Sequence, residues 1–172
     1  MKIDKRWLSL VLLVIPLLLI ATHKSTDTAT PKDGITFSDY VSVYVNGEYR
    51  ETVKNTLTQT GENLIRLQLT ATSADVPTNI SVGNGTVTAN TDTALNGLIR
   101  VNGLGGATCT IANASGYGNW SCSKQFTATG SQTVNTTGLY TPAGILFAVA
   151  DITEVILQTN DQLTLNWSID AS

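Results

Sequence analysis

Charge is scarce in this chain: Asp, Glu, Lys and Arg together make up 13% of its 172 residues. There are also only one histidine, one methionine and two cysteines. Each shortage excludes something. The single histidine, His23, lies near the N-terminus, so the bulk of the chain lacks the side chain most used for proton transfer at neutral pH. No serine stands in a Gly-x-Ser-x-Gly turn, and Cys109 and Cys122 have no further Cys or His to complete a metal site. Asp151 and Glu154 read as solvated loop carboxylates rather than a glycosidase pair, and Asp75 and Asp92 follow no spaced calcium-ligand pattern. From Ile35 onward five basic residues (Arg50, Lys54, Arg66, Arg100, Lys124) face ten acidic ones. An acidic exterior disfavours nucleic acid, whose phosphates need a basic patch. The expectation is a protein that is not an enzyme and takes no cofactor or metal.

What is present begins with an address. Residues 7–22 form an uncharged, mostly aliphatic run, preceded by Lys2, Lys5 and Arg6 and followed by a polar stretch. That polarity places the start inside the cell and the remainder outside. Sixteen helical residues span roughly 24 Å, short of the roughly 30 Å hydrocarbon core, which favours a signal peptide. Ile20-Ala21-Thr22 offers no clean small-x-small cleavage site, so residues 1–22 are read as a signal peptide or, if uncleaved, a membrane anchor. Residues 23–34 carry no apolar period and read as a flexible Thr/Ser-rich stalk. Residues 35–172 then form one domain of ordinary size, placed outside the cytoplasm: secreted, at the cell surface or at a virion surface.

Thr, Ser and Asn number 27, 12 and 13, so this domain keeps itself soluble with hydroxyls and amides, and its threonines favour strands. The sequence Tyr40-Val41-Ser42-Val43-Tyr44-Val45 alternates, and Asn46-Gly47 follows with the two residues suited to a type I′ turn, predicting a hairpin that returns over Glu48 to Val53. Leu64, Ile65, Leu67 and Leu69 predict one short helix from Glu62 to about Thr70, with Thr60 as its cap. The run Ile145 to Ala150 lacks alternation and reads as a strand buried on both faces. Leu163, Leu165, Trp167 and Ile169 alternate inward in the last strand, with Thr164, Asn166, Ser168 and Asp170 outward. Turn signals between these segments complete the expected class: all-β with one short helix, an antiparallel, jelly-roll-like β-sandwich behind an N-terminal hydrophobic segment.

In an exported chain, Cys109 and Cys122 are expected to form a disulfide tying the two arms of a hairpin across the turn-rich residues 114–119. Six asparagines head N-x-S/T sequons, Asn79, Asn84, Asn113, Asn119, Asn135 and Asn166, more than the Ser/Thr content gives by chance. They are candidate glycosylation sites where the host glycosylates exported proteins. Tyr117 and Trp120, inside the disulfide loop, are candidate contacts for a sugar or a protein, though packing of Trp120 on its own sheet is the commoner outcome. Ile35, Phe37, Val41, Val43 and Val45 follow the stalk with a full apolar face, and form a candidate strand for donation to a neighbour's sheet. Pairing with Glu48 to Val53 competes with that role.

Several stretches, taken in order, resemble small structural proteins of tailed phages and related viruses. Val53-Lys54-Asn55-Thr56-Leu57-Thr58-Gln59-Thr60-Gly61-Glu62-Asn63-Leu64-Ile65-Arg66 is similar to their hairpin-then-helix opening, and Asn79-Ile80-Ser81-Val82-Gly83-Asn84-Gly85-Thr86 to the strand and turn that follow. Thr91-Asp92-Thr93-Ala94-Leu95 resembles the next short motif. Phe126-Thr127-Ala128-Thr129, Thr136-Thr137-Gly138-Leu139-Tyr140 and Asp161-Gln162-Leu163-Thr164-Leu165-Asn166-Trp167 resemble the closing strands. The resemblance implies a tail-fibre, collar or decoration module of β-sandwich fold that assembles rather than catalyses. The export leader and the cysteine pair depart from a cytoplasmically assembled tail component. They shift the expectation to a virion component or cell-surface filament subunit that self-associates or joins other surface or virion proteins through strand edges. The alternative is a surface-anchored adhesin that binds a glycan or receptor.

Overall fold

Among the described residues ten strands and one helix form in chain order. The computed structural model describes residues 37–72, 75–86, 90–113 and 119–171, all within the unit Ile35–Ser172. The leader, the stalk, Ile35 and Tyr117 lie outside the described residues. Strand β1 (Phe37–Val45) turns at Asn46-Gly47 into β2 (Glu48–Lys54). Asn46 and Gly47 have φ of 53° and 82°, the two positive values a type I′ turn requires. Asn46 also reaches across to the turn before the last strand. Its backbone N–H donates to the Gln162 carbonyl at 2.8 Å, and its Oδ1 accepts from the Gln162 N–H at 2.8 Å.

A two-residue strand β3 (Thr56–Leu57) leads into α1 (Gln59–Leu69). The cap is Thr58 rather than the expected Thr60: its Oγ1 accepts from the Gly61 N–H at 3.0 Å. Thr60 lies inside the helix, where its hydroxyl donates to the Leu146 carbonyl at 2.6 Å. Gly61, in the first turn, lies so close to the sheet that an added Cβ would collide with the backbone carbonyl of Phe147. Gly61→Ala therefore tests whether propensity or packing decides. Helix propensity favours Ala by about 1 kcal/mol, whereas forcing the helix off a backbone atom costs about 1–3 kcal/mol. Packing should win, and a lowered urea midpoint with unchanged slope is the expected result.

The remaining strands are β4 (Asn79–Gly83), β5 (Ala107–Thr108), β6 (Thr110–Asn113), β7 (Asn119–Thr127), β8 (Gln132–Tyr140), β9 (Leu146–Leu157) and β10 (Gln162–Ala171). They make two five-stranded antiparallel sheets, ordered β2-β1-β10-β7-β6 and β3-β9-β8-β4-β5. The pairs β1–β10, β3–β9, β4–β8 and β6–β7 nest inside one another along the chain, the rolled-up hairpin of a jelly roll. Strands β8 and β9 are also neighbours, a meander step that lets the two middle pairs share a sheet.

The core lies between the sheets, as the alternation predicts. Val41, Val43, Leu163, Leu165 and Trp167 from the first sheet meet Ile80, Val82, Val134, Leu139, Ala148 and Leu157 from the second. The residues Leu146 to Ala150 are buried on both faces. A second, smaller cluster of Leu95, Leu146 and Val149, with Leu98 and Tyr140 packed against it, covers the outer face of the second sheet. It is held by the Leu95 N–H, which donates to the Tyr140 hydroxyl at 2.7 Å.

Candidate association surface

Two sheets have four edges, and an edge strand presents a row of unpaired backbone donors and acceptors. In this sandwich the chain switches sheets at both sides. At one side β2 belongs to the first sheet and β3 to the second, with Asn55 between them; at the other, β5 belongs to the second and β6 to the first, with Cys109 between them. The expected disulfide is present and sits at this second switch. Cys109 and Cys122 are bonded with Cα atoms 5.4 Å apart, and both are buried. Cys122 lies on β7 opposite Ile111 of β6, so the bridge ties the residue just before β6 to the facing strand of that pair. A stable disulfide fits an oxidising, extracytoplasmic compartment. Among the described residues no helix is long and apolar enough to cross a membrane.

The two sides differ in chemistry. On β2 the pairing skips Arg50, since Val43 faces Glu51 while Tyr44 faces Tyr49. That bulge, with Glu48, Arg50 and Lys54 beside it, is the kind of device that keeps an edge from pairing with another chain. The second half of β9 extends past β3, which reaches only Ala148 and Val149. There Glu51 closes the gap: its carboxylate accepts from the Thr153 N–H at 2.6 Å and from the Thr153 hydroxyl at 2.9 Å. Asp151 and Glu154, the carboxylates considered from the sequence, are exposed on this stretch, where β9 also shifts register against β8. The opposite side, Ala107-Thr108-Cys109-Thr110-Ile111-Ala112-Asn113, has no charge and no proline.

The other sequence-derived candidates fall as follows. Phe37 to Val45 form β1, which is hydrogen-bonded to β2 on one side and β10 on the other. Val41, Val43 and Val45 are buried in the core, so within one chain this segment pairs in its own sheet. Trp120 lies opposite Ile169 and is half-buried against the main core. It also borders a shallow depression of about 400 Å³ with Tyr40, Ser121, Asn166, Ser168 and Asp170. Among the sequons, Asn84 is exposed beside a turn, while Asn79 accepts from the Thr108 hydroxyl at 3.1 Å. Asn119, Asn135 and Asn166 have shielded, unpartnered side-chain oxygens, and Asn113 begins the chain's exit from β6. The outward register expected for Asn166 holds, yet its amide is half-covered. No group of three His, Cys, Asp or Glu residues able to hold a metal ion occurs among the described residues.

One buried charge escaped the sequence reading. Asp39 is 3% exposed, because it continues the inward alternation of Val41, Val43 and Val45 two residues earlier. That period was the available signal. Burial, countered by the Asp170 backbone N–H and reinforced by the Asp170 carboxylate, pushes its pKa up to about 6. Nearby, the Asn55 N–H donates to the Asp39 carbonyl at 3.2 Å, while Asp39 Oδ1 and Asn55 Nδ2 have no partner. A raised carboxyl pKa means that the folded state holds its proton more tightly than the unfolded chain. The resulting stabilisation is complete below the unfolded value near 4 and is lost as pH rises through 6. Asp39→Asn should thus be more stable than the parent at pH 8, on the order of 1–2 kcal/mol after discounting for residual solvation. The advantage should shrink to nothing by pH 4 in paired urea titrations.

The fold and its edges define a disulfide-bonded antiparallel β-sandwich. Comparison with protein-family models, with curated proteins and with solved structures returned no match.

Proposed function

We propose that this protein is a non-enzymatic structural subunit of an extracytoplasmic assembly, a virion component or cell-surface filament subunit, that associates through strand edges. The observation that carries the reading is the sandwich side Ala107 to Asn113. Among the described residues its outermost strands end both sheets; they carry no charge, and a strand at an edge offers backbone groups that another strand would satisfy. The resemblance to small phage and viral structural modules supports the same reading, as does the disulfide, which suits an exterior. Residues 7–22 supply membrane attachment if they are retained. Electron microscopy of the native secreted material, with mass spectrometry of its N-terminus, tests the proposal. Ordered filaments or particles containing this chain are expected; a dispersed monomer at every concentration would end it.

The second reading, an adhesin for a glycan or receptor, draws on the depression beside Tyr40 and Trp120. Tyr40 is 45% exposed, and Ser168 and Ser121 follow it across β10 and β7 on one outward row. An aromatic wall above a hydroxyl-lined floor suits a sugar ring. Loss of glycan-array binding in Tyr40→Ala, with thermal stability kept, is the outcome this reading requires.

A further inference from the structure

We propose that the partner of strand β6 is the β6 of a second copy of this chain, paired antiparallel about a two-fold axis normal to the sheet that passes midway between the two Ile111 residues. The inference rests on the edge-association reading above and specifies which edge and which occupant.

Three observations carry it. First, the other long edges are protected within the chain: β2 by its bulge at Arg50 and its charges, β9 by the Glu51 carboxylate on Thr153. Among the described residues strand β6 is the last in its sheet, and neither bulge nor register shift interrupts its pairing with β7. Second, Ile111 is 45% exposed although its position opposite Cys122 puts it on the core-facing side. It is an apolar side chain at the rim of the core, and among the described residues no strand lies beyond it in the sheet. Third, the edge is self-complementary. A two-fold axis normal to a sheet keeps the faces of both copies aligned, so opposed residues must share a face. Centring on Ile111 sets Ile111 against its own counterpart and Thr110 against Ala112. The exposed isoleucines then cover each other, and no charge meets a like charge, which would be destabilising across strands. The two five-stranded sheets become one of ten strands. Because the contact uses the same patch on both copies, it closes as a dimer; a filament would need a further, different contact.

The test uses the full mature chain. Ile111→Lys places a charge on the core-facing side of the edge, a substitution edge strands tolerate when monomeric and that opposes pairing. Sedimentation velocity over a concentration series should show the dissociation constant of the dimer raised at least tenfold, while Thr52→Lys on β2 leaves it unchanged. Hydrogen exchange on the unsubstituted protein gives an independent reading should Ile111→Lys fail to fold. On dimerisation, amides within Thr110–Asn113 should gain protection, and those of β2 and β9 should not. Dimerisation unaffected by Ile111→Lys, or new protection at β2 or β9 instead, overturns the assignment to β6 while leaving edge association intact. A parent protein that stays monomeric throughout removes both.

Discussion

Trp167→Ala is expected to lower the stability of this protein by about 3–5 kcal/mol, as large-to-small changes at filled core positions do. Trp167 is the largest fully buried side chain, 0% exposed. It sits on β10, the strand flanked by β1 and β7 at the middle of its sheet. A domain of this size has only about 5–15 kcal/mol in total, so the variant should be close to unfolding at 37 °C. A companion substitution separates volume from polarity. The indole Nε1 has no hydrogen-bond partner, and a buried unpaired donor is itself destabilising. Trp167→Phe removes that donor and leaves a smaller cavity, so its cost should stay below about 2 kcal/mol. Urea titration followed by far-ultraviolet circular dichroism reads both variants. Equal losses for Ala and Phe would mean that the indole is anchored by something other than packing.

How much of this was legible in the chain depends on how far apart the interacting residues are. The β1–β2 turn was legible because Asn46-Gly47 is a local requirement for positive φ, met by two adjacent residues. The inward set on β10 and the doubly buried start of β9 were legible because strand burial has a period of two or none. The helix was legible by its apolar side but not by its cap. Choosing Thr58 over Thr60 depends on Leu146 and Phe147, more than eighty residues away, whose carbonyls both threonine hydroxyls approach. The same limit hid the edges. That Phe37 to Val45 would lie between β2 and β10 follows from a pairing with residues beyond 160. Asp39 is the exception. Its burial follows from the local period, but a carboxylate reads as a surface residue, so the apolar pattern reads as beginning at Val41.

The candidate association surface was half legible. The bridge beside it was legible as the pair Cys109 and Cys122, and its lack of charge is plain in Ala107 to Asn113. The switch between sheets at Cys109 was not, because the local sequence carries no mark of which strand lies on either side. This switch gives the disulfide a role beyond closing a loop.

Replacing both cysteines by alanine should cost about 2–5 kcal/mol, with about 3 kcal/mol from loop closure alone at a separation of 13 residues. The loss should not be spread evenly. Strand β5 has two residues and β6 has four, too few to hold a sheet edge by backbone pairing alone. Near the switch, the Cys109 N–H donates to the Thr78 carbonyl at 2.8 Å, which anchors the second sheet but not the first. Without the bridge β6 should fray from β7 before the rest of the sandwich opens. Hydrogen exchange should then show amides in Thr110–Asn113 losing protection at denaturant concentrations where β1 and β10 keep theirs. The same fraying would dissolve the ordered edge that the β6 dimer requires, so the double variant should be monomeric even where it remains folded. Mild reduction of the parent protein should reproduce both effects and oxidation should reverse them. Under that coupling the subunit would be unable to pair in a reducing cytosol and would become competent only after export. A reduced protein that dimerises as well as the oxidised one would separate the bridge from assembly and leave it a stabilising link alone.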